Sequence, residues 1–191
     1  MICSPLTLLQ CCPTGDGAAA LVLASNDWAK KSSGKPIRLA AVVLRSGTRL
    51  GSRDMTSSDL TRRTSTAAYE LAGVGPRDID VCELHDCFTA AELFHYENLG
   101  FCPKGEGGRF IDEGRSGIEG DVAVNPSGGL LAKGHSLGAT GIAQMAEIFG
   151  QLRGEAGKRQ RKDARVGMTH TMGGAATGID GASCAVSILM K

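Results

Sequence analysis

Apolar residues run together from Ala18 to Ala24, directly after the turn-forming Pro13-Thr-Gly-Asp-Gly, and this pattern predicts a buried strand. Ser25-Asn-Asp starts a short helix ending near Gly34, and Ile37 to Leu44 predicts a second strand. Ser57-Ser-Asp-Leu carries N-cap chemistry for a helix to about Ala72, with Leu60, Ala67, Leu71 and Val74 on one side and Gly73 near its end. Gly75-Pro-Arg-Asp turns the chain. Ile79 to His85 predicts a strand, and Thr89 to Leu99, closed by Gly100, a helix that can pack Ala91, Leu93, Phe94 and Leu99. Residues 101–133 read as a long glycine-rich excursion, of the kind that in compact domains tends to be functional. Gly138 to Leu152 predicts a helix, and Arg165 to Thr169 and Ser183 to Met190 the last two strands. The order β-α-β-α-loop-α-β-β specifies an α/β layered domain.

This order sets His85-Asp-Cys-Phe88 at the carboxyl end of a strand, where open α/β sheets form their ligand crevices. A length of 191 residues suits one domain, or one domain and a fragment of another. Hydrophobic residues at 42% and charged residues at 21% exclude a disordered or fibrous chain. A net charge of +1 gives no general attraction to nucleic acid or an anionic membrane, and no apolar run approaches the length of a membrane span. The seven cysteines include a vicinal pair but no Cys-x-x-Cys, which reads as reduced thiols in an intracellular compartment. Met1 opens without a secretion signal, and Ile-Leu-Met-Lys at the end is not a Ser-Lys-Leu address. The expected location is therefore cytoplasmic in a bacterium, or peroxisomal or mitochondrial in a eukaryote. The 27 glycines cluster at 105–120, 128–141 and 173–181, where backbone turns tightly or approaches a ligand.

The candidate chemistry sits in three places. Within Asn125-Pro-Ser-Gly-Gly-Leu-Leu-Ala-Lys-Gly-His-Ser-Leu-Gly-Ala-Thr-Gly141, His135 stands between glycines just before a helix. Little side-chain bulk shields its imidazole, which can take a proton from a thiol, and the helix start adds free N–H groups. The plain alternative is a surface histidine beside turn-forming glycines. In the second place, an extended backbone would put His85 and Cys87 on one face, pairing an imidazole with a thiol that could serve as acid/base or nucleophile. A buried cysteine and a hydrogen-bonded histidine are the plain alternative here. Zinc at Cys82, His85, Cys87 and Cys102 is disfavoured, because Cys82 and His85 point to opposite faces. In the third, Thr169-His170-Thr-Met-Gly-Gly brings a histidine and a glycine pair to another strand end, unless it is only a connection. Lys158-Arg-Gln-Arg-Lys162 has no interleaved aromatic residue and reads as a solvated loop, while Trp28, Tyr69 and Phe94 read as packing residues.

Taken in this order, the three motifs resemble the thiolase superfamily, and His-Asp-Cys-Phe resembles its sterol carrier protein X branch. Cys11-Cys-Pro-Thr-Gly-Asp-Gly-Ala-Ala-Ala looks like the segment closing that family's amino-terminal domain, and Gln151-Leu-Arg-Gly-Glu-Ala-Gly-Lys-Arg-Gln160 is similar to the same branch. The resemblance implies a layered α-β-α fold, with residues 1–34 the tail of an amino-terminal domain and residues 36–191 the carboxy-terminal domain. It implies acyl transfer from a coenzyme A thioester through a nucleophilic cysteine in the amino-terminal half, in dimers or tetramers, with coenzyme A as substrate and no covalently bound cofactor. His135 would activate that cysteine and help form an oxyanion hole, together with Gly134 and Gly138. His85 stands where many members have a water-positioning asparagine, Cys87 looks like the branch's acid/base cysteine, and His170 occupies the place of the second catalytic cysteine. Gly173 and Gly174 would line the second oxyanion site.

There are departures from the family pattern. Ser136 replaces the usual proline, and Thr177-Gly-Ile-Asp-Gly-Ala-Ser183 lengthens the last connection. None of the seven cysteines has the context of the nucleophile. Thiolysis of a 3-ketoacyl-CoA with a complementary amino-terminal half is the expected activity. The alternatives are an aldolase acting on steroid side-chain thioesters, or a non-catalytic subunit that binds acyl-CoA or a partner.

Overall fold

A computed structural model of the protein describes residues 1–48, 54, 56–177 and 180–191. Its strands are β1 (Arg38–Ser46), β2 (Val81–Glu83), β3 (Ala123–Val124), β4 (Val166–Thr177) and β5 (Asp180–Met190). The helices are α1 (Asn26–Ala29), α2 (Asp59–Ala72), α3 (Thr89–Asn98), α4 (Gly107–Asp112), α5 (Gly129–Lys133) and α6 (Thr140–Arg153). One sheet runs β1-β5-β4-β2-β3, with β2 parallel to both its neighbours and β1, β5 and β4 antiparallel.

Alternation along the strands sends successive side chains to opposite layers. Cys82, Met168, Val186 and Ile188 join Leu60, Ala68 and Tyr69 of α2, Tyr96 of α3 and Phe110 of α4 in the larger core. Val81 and Leu189 turn the other way, against Ile148 and Leu152 of α6. The result is the expected α-β-α layering. Ser58 caps α2 by accepting from the Thr61 amide, and Gly73 ends it in the left-handed conformation at φ 74°.

Several expectations need correction. Ala18 to Ala24 forms no strand; it runs unpaired with Val22 92% and Leu23 74% exposed, because an apolar run becomes a strand only beside a partner. The first helix is a single turn, and Trp28 on it is 61% exposed instead of packed. Residues 101–133 are not a featureless excursion, since α4, β3 and α5 lie within them. Strand β4 continues past Thr169 to Thr177, so His170 lies inside a strand and not at its end. The lengthened last connection includes residues 178 and 179, which lie outside the described residues.

Candidate active site

The carboxyl ends of β2 and β3 are tied together by side chains from both segments. Beyond β3, Asn125 adopts a left-handed φ of 46°, its amide donates to the Cys82 carbonyl at 2.8 Å, and its Oδ1 accepts from the Leu84 amide at 2.8 Å. Glu83, fully buried, accepts from the Ser127 amide at 3.1 Å and hydroxyl at 2.7 Å, with the Lys133 ammonium 3.7 Å away. Burial raises the Glu83 carboxyl above its ordinary range, against the pull of Lys133 and Ser127. Asp86 accepts from the Leu130 amide at 2.8 Å and the Leu131 amide at 3.3 Å, so its carboxylate holds the first turn of α5. A Cβ at Gly129 would stand 2.0 Å from Asp86 Oδ2, and the residue has a φ of 61°. Glycine is therefore required for the two loops to meet.

His135 follows α5. Its Nδ1 lies 2.8 Å from the Thr140 hydroxyl, which in turn donates to the Ser136 carbonyl at 3.1 Å. With that proton committed, the hydroxyl oxygen accepts from Nδ1–H, an assignment made from the hydrogen-bond network. Nε2 then keeps its lone pair and can act as a base. A strap from the amino-terminal segment joins both motifs: the Cys12 amide donates to the Cys87 carbonyl at 3.0 Å, and the His135 amide donates to the Pro13 carbonyl at 2.8 Å. The His85 and His135 rings meet edge to face with centroids 5.0 Å apart.

Burial dominates the electrostatics. It pushes the Cys87 thiol up, and the neighbouring Cys12 adds to the shift. Cys12 is raised as well, by burial and then by Asp86. Cys87 is thus a thiol at neutral pH, poorly prepared to act as a resting thiolate nucleophile. Burial, with His135 beside it, holds His85 down at about 4, so its imidazole is neutral at pH 7. His95 is held at about 3, by burial and then by His85.

These depressed histidines make stability depend on pH. The unfolded chain takes up a proton near pH 6.5 while folded His85 and His95 do not, so their contribution is whole above pH 6.5 and is lost towards pH 4 and below. Glu83, Asp86 and Glu92, all raised by burial, act in the opposite sense. Comparing His95→Leu with the parent isolates one histidine. Urea midpoints from pH 7 to 4 are expected to fall less steeply for the variant, by up to about one proton per molecule.

The sequence-predicted residues are gathered unevenly. His135, His85 and Cys87 share the strapped crevice, and Gly134, at φ 87°, sits against Pro13 of the strap. A Cβ at Gly138 would meet nothing within 4 Å, so the start of α6 is open there. His170 lies beneath the crevice, fully buried, with Nε2 3.2 Å from the Thr61 hydroxyl. Gly173 and Gly174 are further along β4 on an exposed stretch, Gly173 paired with Ser183. Among the described residues no group of three His, Cys, Asp or Glu is arranged to hold a metal ion. Nothing in the sequence pattern marks Asp86, Asn125, Thr140 or Cys12 for a role. Asp86 and Asn125 stand inside the histidine motifs, but their partners come from distant segments.

Residues 45–189 match the family described as thiolase C-terminal domain-like. An acetyl-CoA acetyltransferase of Methanothermobacter thermautotrophicus is 49% identical over 91% of this chain and 46% of its own length. Sterol carrier protein 2 of Oryctolagus cuniculus is 48% identical over 88% of this chain and 32% of its own. A benzoylsuccinyl-CoA thiolase subunit, BbsB, of Thauera aromatica is 46% identical over 91% of this chain and 46% of its own. The chain thus spans less than half the length of each of these relatives. Among solved structures, an Ltp2-ChsH2(DUF35) aldolase superposes over the whole chain with a TM-score of 0.81 and 26% identity, matching 48% of that aldolase chain. No described helix is long and apolar enough to cross a membrane. With its layered sheet and its two joined histidine motifs, the chain belongs to the thiolase family and carries that family's carboxy-terminal domain.

Proposed function

We propose that this chain supplies the acid/base half of a thiolase-type acyltransferase site that cleaves 3-ketoacyl-CoA, with the nucleophilic cysteine provided by an amino-terminal thiolase half. The observation that supports this most is the strap of Cys12 and Pro13, which holds Cys87 and His135 to one crevice beside neutral His85. Residues 1–34 are then the tail of the amino-terminal domain and 36–191 the carboxy-terminal domain.

In this reading His135 Nε2 takes the proton of the nucleophile's thiol, and the thiolate attacks the 3-keto carbonyl. The C2–C3 bond breaks and the acyl group remains on sulfur. The C2 carbanion takes the proton of the Cys87 thiol and leaves as acetyl-CoA, or as propionyl-CoA from a branched substrate. Coenzyme A gives its proton to the Cys87 thiolate and attacks the acyl thioester; His135 returns a proton to the departing cysteine. His85 hydrogen-bonds the reacting carbonyl, directly or through water. Gly134, Gly138, Gly173 and Gly174 are assigned to substrate and oxyanion binding, and His170 supports the site from beneath. Coenzyme A is a substrate, and no cofactor is covalently bound. The compartment is intracellular.

Exposed Leu8, Leu9, Val22 and Leu23 suit burial against the amino-terminal half or another copy. Light scattering on the isolated chain should therefore show oligomers, and a clean monomer at high concentration would count against a covered face. A second reading, aldol cleavage of a steroid side-chain thioester, is favoured by the likeness to a solved aldolase along the whole chain. Fusing the chain to the amino-terminal half of the Methanothermobacter relative separates the two. With 3-ketoacyl-CoA and coenzyme A the proposal expects two thioester products. An aldehyde or ketone product would favour the aldolase, and acyl-CoA binding without turnover would favour a non-catalytic subunit.

A further inference from the structure

The strap that joins the two histidine motifs carries a second thiol opposite Cys87. Cys11 and Phe88 form an isolated antiparallel bridge, and the Cys12 amide donates to the Cys87 carbonyl at 3.0 Å. In an antiparallel register a step forward on one segment is a step back on the other, so Cys12 faces Cys87. Their side chains leave the pair on the same side, and those of Cys11 and Phe88 on the other. The Cys11 thiol turns away, donating to the Thr7 carbonyl at 3.5 Å.

Facing residues of an antiparallel pair have Cα atoms about 4.5–5.5 Å apart and Cβ atoms about the same distance apart. A disulfide needs Cα atoms about 4.4–6.8 Å apart and Cβ atoms about 3.5–4.5 Å apart. Residues so placed meet the first requirement as they stand, and the second after an approach of roughly 1 Å. The strap can supply that movement. Cys12 belongs to no helix or strand, Pro13, Thr14 and Gly15 after it are exposed, and a Cβ on Gly15 would meet nothing within 4 Å.

Access separates these two thiols from most of the others. Cys82, Cys102 and Cys184 are buried, whereas Cys12 and Cys87 are half-buried, within reach of a small reagent entering the crevice. Burial raises the Cys87 thiol, and Cys12 is the next cause, as neighbouring thiols require.

We propose that Cys12 and Cys87 are a modification site, forming a reversible disulfide across the strap. The oxidant is a low-molecular-weight disulfide of the glutathione class. The Cys12 thiol gives its proton to solvent, and its thiolate attacks one sulfur of glutathione disulfide; one glutathione leaves and the other stays bonded to Cys12. The Cys87 thiol then gives up its proton, its thiolate attacks the Cys12 sulfur, and the second glutathione leaves. Two protein thiols are oxidised and one glutathione disulfide is reduced to two thiols, which regain the two protons. Because both thiols are raised, each step is slow at neutral pH, and the pair responds to sustained oxidation. The bond would withhold the Cys87 thiol from proton transfer. That consequence rests on the thiolase reading, and the disulfide itself does not.

The test is peptide mapping of the full chain after exposure to excess glutathione disulfide at a pH of about 8.5, where thiolate is more plentiful. Free thiols are capped, the chain is cut with trypsin without reduction, and fragmentation places each bond. The expected result is Cys12 bonded to Cys87 in most molecules, and the bond lost with dithiothreitol. Cys11→Ser should keep the bond. Cys12→Ser, which retains the strap amide, should leave Cys87 bonded to no other cysteine of the chain. In the parent chain, glutathione on Cys12 or Cys87 without a bond between them, or Cys12 bonded to Cys11, would overturn the proposal whether or not the variants fold. Cleared of glutathione and assembled with an amino-terminal half, the bonded chain should show about 10²-fold less thiolysis than the same chain after dithiothreitol. Failure of the thiolase reading would appear as no thiolysis in either form, with the bond mapped as expected.

Discussion

Replacing His135 with Ala in the assembled enzyme is expected to lower kcat for thiolysis by about 10³-fold, the usual scale for losing a positioned general base. The geometry makes this position the most sensitive one. His135 is anchored through its amide to the strap and through Nδ1 to Thr140, which leaves the Nε2 lone pair open, and in the proposed mechanism this lone pair takes the nucleophile's proton. Substrate contacts elsewhere are retained, so KM should change much less than kcat. Thr140→Val should reproduce a smaller part of the loss, since the imidazole is kept but its orientation is not. Steady-state rates with matched circular dichroism spectra would check both, and a His135→Ala enzyme within threefold of the parent would remove His135 from the chemistry.

The second large effect is on stability. Gly129→Ala is expected to destabilise the chain by roughly 3–5 kcal/mol, read as a lower urea midpoint at unchanged slope. Part of this is the strain of a side chain at φ 61°, and the rest follows from a methyl carbon placed 2.0 Å from Asp86 Oδ2. Asp86 must move, and it then gives up the Leu130 and Leu131 amides while still buried. Gly138→Ala is the control, because a Cβ there meets nothing within 4 Å. Equal midpoints for the two variants would show that the contact between Asp86 and α5 contributes little.

These predictions depend on features that differ in how far the sequence discloses them. Helix α2 is legible from its Ser58 cap and closing Gly73, and α3 and α6 from their apolar periodicity, because these signals are local. So is β1, whereas the gathering of His85, Cys87 and His135 at one site is implied by the family resemblance and not by local pattern. Ala18 to Ala24 misled because an apolar run reports a wish to be buried without naming the surface that buries it. Residues 101–133 misled for the opposite reason: α5 has only five residues, and buried Glu83 and Asp86 hold its surroundings in place from a segment about 40 positions earlier. His170 was placed at a strand end by its following glycines, yet β4 and β5 carry their pairing on through Gly173 and Ser183. The supporting roles of Asn125 and Cys12 are invisible in the sequence because each depends on a partner that only folding brings near, whereas Thr140 has its partners His135 and Ser136 within its own motif.

Under the proposed function, His135 and Cys87 serve a cysteine that is not among the seven in this sequence. Intact-mass spectrometry tests it most directly, on the chain assembled with an amino-terminal thiolase half and given 3-ketoacyl-CoA without coenzyme A. The expected result is one acyl group, held as a thioester on the cysteine of the amino-terminal half and absent when His135 is Ala. An acyl group on Cys87 or any other cysteine of this chain, or carbon–carbon cleavage with no acylated protein, would contradict it.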